Sequence, residues 1–207
     1  MLKPGDPAPA FTLPAAHDDG TVSLQDYRGR SAVLLALFRG LYCPFCRHQM
    51  AQLAGTAEKL RPLGVETLGI VATAADRARS YFRRLKLRLP LGADPDLTTH
   101  RAYGLGVIER TPEADEMIDG AAMQLALALD IPAVAGKARE AISRFDGYQA
   151  SESDMADRQR HQIQLTGMFL IDRDGTIRWC NRENAATYAV FPSEKQLLPA
   201  AERLRSS

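Results

Sequence analysis

The stretch Ser31-Ala32-Val33-Leu34-Leu35-Ala36-Leu37-Phe38, followed at once by Arg39-Gly40-Leu41-Tyr42-Cys43-Pro44-Phe45-Cys46, decides the fold. Its first half is a continuous apolar run of strand length, the pattern of a strand covered on both faces. Arg39-Gly40 breaks the run. From Cys43 onward, Cys46, Met50, Leu53, Ala57 and Leu60 fall on one stripe of a helix, and Pro62 and Gly64 close it. Val65 to Val71 is the next strand. A buried strand handing over to a helix, then a second strand, predicts a parallel pair with a helical crossover.

Outward from this unit the pattern continues. Upstream, Pro4, Pro7, Pro9 and Pro14 exclude a helix. Phe11 to Leu13 and Thr21 to Leu24, joined at Asp19-Gly20, predict an N-terminal β-hairpin. Downstream, Ala74 to Lys86 reads as a helix and Leu89 to Leu91 as an extended piece. Asp94-Pro95-Asp96 opens a helix running to Tyr103. Gly167 to Ile171, Asp174-Gly175 and Thr176 to Cys180 form a late antiparallel hairpin. Ser193 and Gln196 fit a capping box before a last helix to Leu204 that contains Pro199.

Residues 107–163 break the rhythm. Thr111-Pro112 with Glu113, Asp115 and Glu116 starts a helix whose stripe is Ile118, Ala122, Leu125 and Leu129. Pro132 starts another, with Val134, Ala138, Ile142 and Phe145 as its stripe, and Ser151 to Arg160 is polar enough to predict a loop. This segment is too small for its own core, so it reads as a helical insertion within one domain spanning 1–207. It offers a dimer face, a cover over the site, or ordinary core packing.

The bulk numbers narrow the function. A net charge of +1 over 207 residues provides no field for nucleic acid or an anionic membrane. The run from Ala32 to Phe38 is too short to span a bilayer, and the first residues lack a signal-peptide pattern, so a cytoplasmic protein is expected. Three cysteines are too few for a disulfide-stapled secreted domain. In a reducing compartment a C-x-x-C pair implies redox chemistry or metal.

A thiolate is the reactive form of cysteine, so a redox site must stabilise one. Cys43 at a helix N-terminus meets unpaired N–H groups and the positive end of the dipole. Arg39 stands just before it, and Pro44 suits the first helical position. Cys46 lies one turn on, within reach of an oxidised Cys43. The pattern assigns Cys43 as an exposed nucleophile and Cys46 as a protected resolving thiol. The competing readings are half a zinc site, completed by His48 and Cys180, or two buried structural cysteines. A zinc site would draw on a second ligand pair, which the sequence lacks, so no metal is assigned. Tyr42 either covers the thiol or packs; Cys180, Trp179 and His48 read as packing residues.

Several segments resemble the AhpC/TSA family of peroxiredoxins. Gly5-Asp6-Pro7-Ala8-Pro9-Ala10-Phe11-Thr12-Leu13-Pro14 with Asp26-Tyr27-Arg28-Gly29 is similar to that family's opening. Ala93-Asp94-Pro95-Asp96 resembles its middle, and Gly167-Met168-Phe169-Leu170-Ile171-Asp172 its late hairpin. Phe38 to Cys46 is most similar to a peroxiredoxin-like branch with a thioredoxin-style C-x-x-C. The resemblance implies an α/β thioredoxin-like fold, with a central mixed sheet flanked by helices, and thiol-dependent antioxidant or disulfide-exchange chemistry. It implies no cofactor beyond the cysteine pair, a peroxide or disulfide substrate, and a thiol donor such as thioredoxin or glutathione. A homodimer is a further expectation. Where peroxiredoxins carry Pro and Thr or Ser before the peroxidatic cysteine, this chain has Ala36 and Gly40. Where they carry a late Arg, and thioredoxins a cis-Pro, it has Thr166. Arg39 is the candidate to replace the missing guanidinium. Gly40, Tyr42, Pro44 and Thr166 are the candidate substrate-binding positions. The rival functions are a protein disulfide reductase without peroxidase activity and a redox-sensing or binding module.

Overall fold

The computed structural model describes residues 1–85 and 89–205. Its elements in chain order begin with β1 (Thr12–Pro14), β2 (Thr21–Ser23), β3 (Ala32–Phe38), α1 (Pro44–Leu60), β4 (Val65–Val71) and α2 (Ala75–Leu85). They continue with β5 (Leu91–Ala93), α3 (Thr98–Ala102), β6 (Val107–Ile108), α4 (Pro112–Ala128), α5 (Ala138–Phe145) and α6 (Glu152–Arg160). β7 (Ile163–Gln164), β8 (Gly167–Ile171), β9 (Ile177–Arg182) and α7 (Glu194–Arg205) complete the order. The expected end of the second helix at Lys86 lies outside the described residues.

The main sheet has the order β5-β4-β3-β8-β9. β3 lies at its centre, parallel to β4 with Ala32 opposite Val65, and antiparallel to β8 with Val33 opposite Ile171. Successive β3 side chains therefore enter different cores. Leu34, Ala36 and Phe38 join α1, α4 and α7 on one face. Val33, Leu35 and Leu37 join Tyr103, Phe169 and Ile177 on the other. This is why the run needs no polar alternation. The hairpin β1–β2 covers the β5 edge through a bridge between Ala15 and Gly92. At Gly92 a Cβ would meet Leu13 and Val22 at 3.2 Å, so this close approach favours glycine.

α1 follows the sequence expectation. Pro44 occupies its first turn, and Cys46, Met50, Leu53, Ala57 and Leu60 are all buried along one stripe. A 3₁₀ turn over Arg61–Leu63 and the left-handed Gly64 (φ +78°) end it. α3 starts at Thr98 rather than at Asp94. The Asp94 carboxylate instead accepts the N–H groups of Thr98 and Thr99, at 3.1 and 2.7 Å. β5 begins at Leu91, where the extended piece was expected to end. In α7 the Ser193 N–H donates to Gln196 Oε1 at 2.9 Å. The helix starts at Glu194 and absorbs Pro199 in its interior.

The segment 107–163 departs from its helical reading in three places. β6 and β7 pair antiparallel, with Val107 opposite Gln164, and close its base. α5 starts at Ala138, not at Pro132, and Val134 and Phe145 are 63% and 67% exposed. Ser151–Arg160 is not a loop: Ser151 and Asp154 form a reciprocal capping box that starts α6. Buried Asp154 also binds Arg77 of α2. That anchoring replaces the apolar stripe whose absence suggested a loop. The segment is tied to α1 by buried Arg47, which donates to Asp146 at 2.7 Å and lies over the Tyr148 ring at 3.9 Å. No helix among the described residues is long and apolar enough to cross a membrane.

Candidate active site around Cys43

The turn from β3 into α1 is made by Arg39 to Cys43. Leu41 N–H donates to Thr73 Oγ1 at 3.1 Å, and Cys43 N–H to the Gly40 carbonyl at 3.0 Å. A Cβ at Gly40 would stand 2.7 Å from the Tyr42 ring and 2.9 Å from the Ala72 carbonyl, so the turn admits only glycine. Gly40 thus shapes the ground under Tyr42; it does not line the pocket.

This turn makes Cys43 the N-cap residue of α1, and its Sγ accepts the Cys46 N–H at 3.2 Å. Arg39 Nη1 lies 3.6 Å from Cys43 Sγ and 3.8 Å from Cys46 Sγ. Burial opposes ionisation of Cys43, but the hydrogen bond from Cys46 and the Arg39 charge outweigh it, and the pKa falls to about 6. Burial and the adjacent Cys43 sulfur push the Cys46 thiol up. The two thiols are thus shifted in opposite directions, Cys43 towards the thiolate and Cys46 towards the thiol. A depressed thiol is the more nucleophilic of two at neutral pH.

Arg39 is 2% exposed and fully engaged. Nε donates to the Gln164 carbonyl at 2.6 Å, Nη2 pairs with Glu183, and the guanidinium sits 4.5 Å from the Tyr188 ring centroid. Glu183 is itself buried. It accepts from Thr166 N–H and Oγ1, at 2.8 and 3.1 Å, and from Ala189 N–H at 2.5 Å. Ala189 has φ +59°, a left-handed conformation uncommon for alanine, and its N–H reaches the carboxylate from there. Thr166 is thus buried against Glu183 rather than placed for substrate binding, which corrects the sequence expectation. It holds the carboxylate that holds Arg39.

Cys43 is also not the exposed nucleophile expected from sequence; it is 4% exposed, and Cys46 is 0% exposed. Cys43 lies in the main core cluster, beside Phe45 and Tyr188. A cavity of about 30 Å³ reaches Cys43, lined by Arg39, Tyr42, Pro44 and Tyr188 together with Arg110 and Arg158 of the segment 107–163. A cavity needs about 10–15 Å³ of space open to a water-sized sphere to hold one water molecule, so this one admits a very small oxidant. The segment 107–163 lines this cavity and also packs into the main core through Ile118, Ala122, Ala138 and Ile142. Cys180 lies on β9 against the opposite core, and His48 is half-buried on α1. Among the described residues no group of three or more His, Cys, Asp or Glu side chains is arranged to hold a metal. Glu183, Tyr188 and Gln164 were missed by the sequence reading. Arg39 and Glu183 are 144 positions apart, and no local spacing links them.

A thioredoxin-like sheet with a charge-stabilised cysteine at the head of its first helix defines the class of thiol-based oxidoreductases. The AhpC/TSA family model matches residues 4–180, and the chain belongs to that family. It is 35% identical over 127 residues to a putative peroxiredoxin, Rv2521, of Mycobacterium tuberculosis, covering 56% of this chain and 80% of that one. It is 30% identical over 104 residues to peroxiredoxin Bcp of Escherichia coli, covering 50% and 65%. Among solved structures, the reduced 2-Cys peroxiredoxin of Plasmodium vivax superposes with a TM-score of 0.64 at 15% identity, over all of this chain and 83% of that one. A putative thiol:disulfide interchange protein DsbE from Chlorobium tepidum gives 0.56 at 20% identity, over 97% and 99%. These structural likenesses carry the fold; membership in the family makes the chain a peroxiredoxin-like thiol oxidoreductase.

Proposed function

We propose that Cys43 is the peroxide-reacting thiolate and Cys46 the thiol that resolves it. The observation that carries this reading is Cys43 Sγ at the α1 N-terminus, 3.6 Å from a buried arginine and at the end of a narrow cavity. The thiolate attacks one peroxide oxygen, the O–O bond breaks, and the leaving oxygen takes a proton to depart as alcohol or water. Cys43 becomes a sulfenic acid. Cys46 then attacks that sulfur, a disulfide forms and water leaves. Two electrons from an external thiol donor restore the pair. Arg39 orients the peroxide and stabilises the departing oxygen. Glu183, with Thr166 behind it, fixes Arg39.

The narrow approach favours a small peroxide over a protein disulfide, which would have to bring its sulfurs to a nearly enclosed Cys43. The insertion 107–163 belongs, in this reading, to the same functional unit as a roof over the pair. A reducing compartment such as the cytoplasm supplies the donor thiol. The test is single-turnover oxidation with hydrogen peroxide and, separately, with a disulfide substrate, followed by mass mapping. Peroxide should consume two thiols and yield a Cys43–Cys46 disulfide, and Cys46→Ser should stop at the sulfenic acid. Unchanged turnover in Cys43→Ser would refute the assignment, and reaction with the disulfide alone would refute the peroxide.

A further inference from the structure

The cavity at Cys43 shares Tyr42, Arg139 and Arg158 with a second cavity of about 420 Å³ walled by α5 and α6. That volume lies in the range of small-molecule sites, which run from roughly 300 to 1,000 Å³. The charges around the junction are unequally spent. Arg110 pairs with Asp115, and Arg139 Nε binds Asp119 at 2.9 Å. Arg158 makes no hydrogen bond or ion pair among the described residues, although it lines both cavities. Burial and the repulsion of Arg139 and Arg110 push its pKa down. Arg144 adds another cation to the larger cavity, against Glu140. The Tyr42 hydroxyl, buried at the same junction, is also without a partner among the described residues. A cationic junction with an unpaired guanidinium and an unpaired phenol fits a carboxylate, which takes two N–H donors from an arginine and an O–H from a phenol.

We infer that Arg139, Arg158 and Tyr42 form a carboxylate subsite on the route to Cys43, and that its ligand is a small carboxylate-bearing thiol that reduces the Cys43–Cys46 disulfide. This rests on the redox-pair reading above. A hydrogen peroxide molecule needs no anchor, whereas a reductant must present one sulfur in line with a recessed bond. Cys43 is the sulfur the cavity reaches, and Cys46 has no exposure. The donor thiolate therefore attacks Cys43 Sγ. The S–S bond breaks, its electron pair goes to Cys46, and Cys46 takes a proton. A second donor thiolate attacks the donor sulfur of the mixed disulfide, which releases the oxidised donor and returns Cys43 as thiolate. Two donor thiols are oxidised and one protein disulfide is reduced. The same cations steer an incoming thiolate and hold the carboxylate end of the donor in the larger cavity.

The test uses full-length protein, oxidised with one equivalent of hydrogen peroxide and checked by mass for the Cys43–Cys46 disulfide. Reduction is followed by stopped flow with two matched probe pairs: 3-mercaptopropionate against 3-mercaptopropionamide, and glutathione against its diethyl ester. Rates are normalised to thiolate concentration. The carboxylate member of each pair should be faster by about tenfold, the lower end of what a hydrogen bond to a charged group contributes. Arg158→Gln and Arg139→Gln should each remove most of that advantage. Arg61→Gln, the same charge loss at the far end of α1, should leave it intact. A disulfide that forms but is reduced equally fast by both members of each pair overturns the inference, as does an advantage that survives both substitutions. A carboxylate advantage seen only in oxidation, with a carboxylate-bearing hydroperoxide against its methyl ester, overturns the assignment to the reductant and transfers the subsite to the oxidant. Failure to form the disulfide at all overturns the redox-pair reading beneath it.

Discussion

Replacing Glu183 with glutamine tests how the buried ion pair governs Cys43. Arg39 and Glu183 are each 2% exposed. Removing one partner of such a pair leaves an uncompensated charge, at a cost of about 3–5 kcal/mol. Glutamine keeps a carbonyl acceptor for the Thr166 or Ala189 N–H, so the lower end, about 3 kcal/mol, is expected. The effect on the thiol runs the other way. Freed from its carboxylate, Arg39 presents its full charge to Cys43 Sγ at 3.6 Å, and the Cys43 pKa should drop below its wild-type value of about 6. Each unit of that drop is worth about 1.4 kcal/mol of linkage, so the variant's stability deficit should be larger at pH 4.5 than at pH 7.5, where the thiolate substitutes for the lost carboxylate. Urea melts in reductant at the two pH values measure the deficit, and the pH profile of iodoacetamide labelling measures the thiol. A deficit below about 1 kcal/mol, or a labelling midpoint that moves upward, would refute the reasoning.

Gly40→Ala should destabilise by about 1–3 kcal/mol, because its methyl group meets the Tyr42 ring at 2.7 Å and the Ala72 carbonyl at 2.9 Å; a neutral result in thermal melts would show that the turn has slack. Ionisation of Cys43 should also couple stability to pH. The folded pKa of about 6 lies below the unfolded thiol value, roughly 8.5. The stabilisation is therefore complete above about pH 8.5 and is lost as pH falls through 6. Relative to Cys43→Ser, reduced wild-type protein should gain at most about 3.4 kcal/mol across that window, and parallel curves for the two proteins would contradict it.

Much of this site was readable because it is local. β3 declares itself by an unbroken apolar run. The head of α1 follows from Cys43-Pro44, since a cap and a first-turn proline are consecutive in the chain. Arg39 could be placed near the thiol because a strand end and a helix start are covalent neighbours. Glu183, Tyr188 and Gln164 could not, because tertiary folding alone brings β7 and the end of β9 beside Arg39. Thr166 was given to the substrate by the position it shares with a residue of the family; its hydroxyl turns to Glu183 instead. The burial of Cys43 was equally out of reach, because the cavity beside it is lined in part by residues of the segment 107–163, whose helix α6 carries almost no apolar stripe. That helix is specified by Ser151, Asp154 and a distant Arg77. Polar satisfaction there did what hydrophobic periodicity does in α1.

The proposed roles require one sulfur of the pair to be ionised at neutral pH and its neighbour not. The most direct measurement is the rate of alkylation of fully reduced protein by iodoacetamide as a function of pH, with the labelled cysteine identified by mass. Labelling is expected at Cys43 with a midpoint near pH 6, and Cys46 should be labelled far more slowly throughout. A midpoint at or above the ordinary thiol value of roughly 8.5, or faster labelling at Cys46, would contradict it.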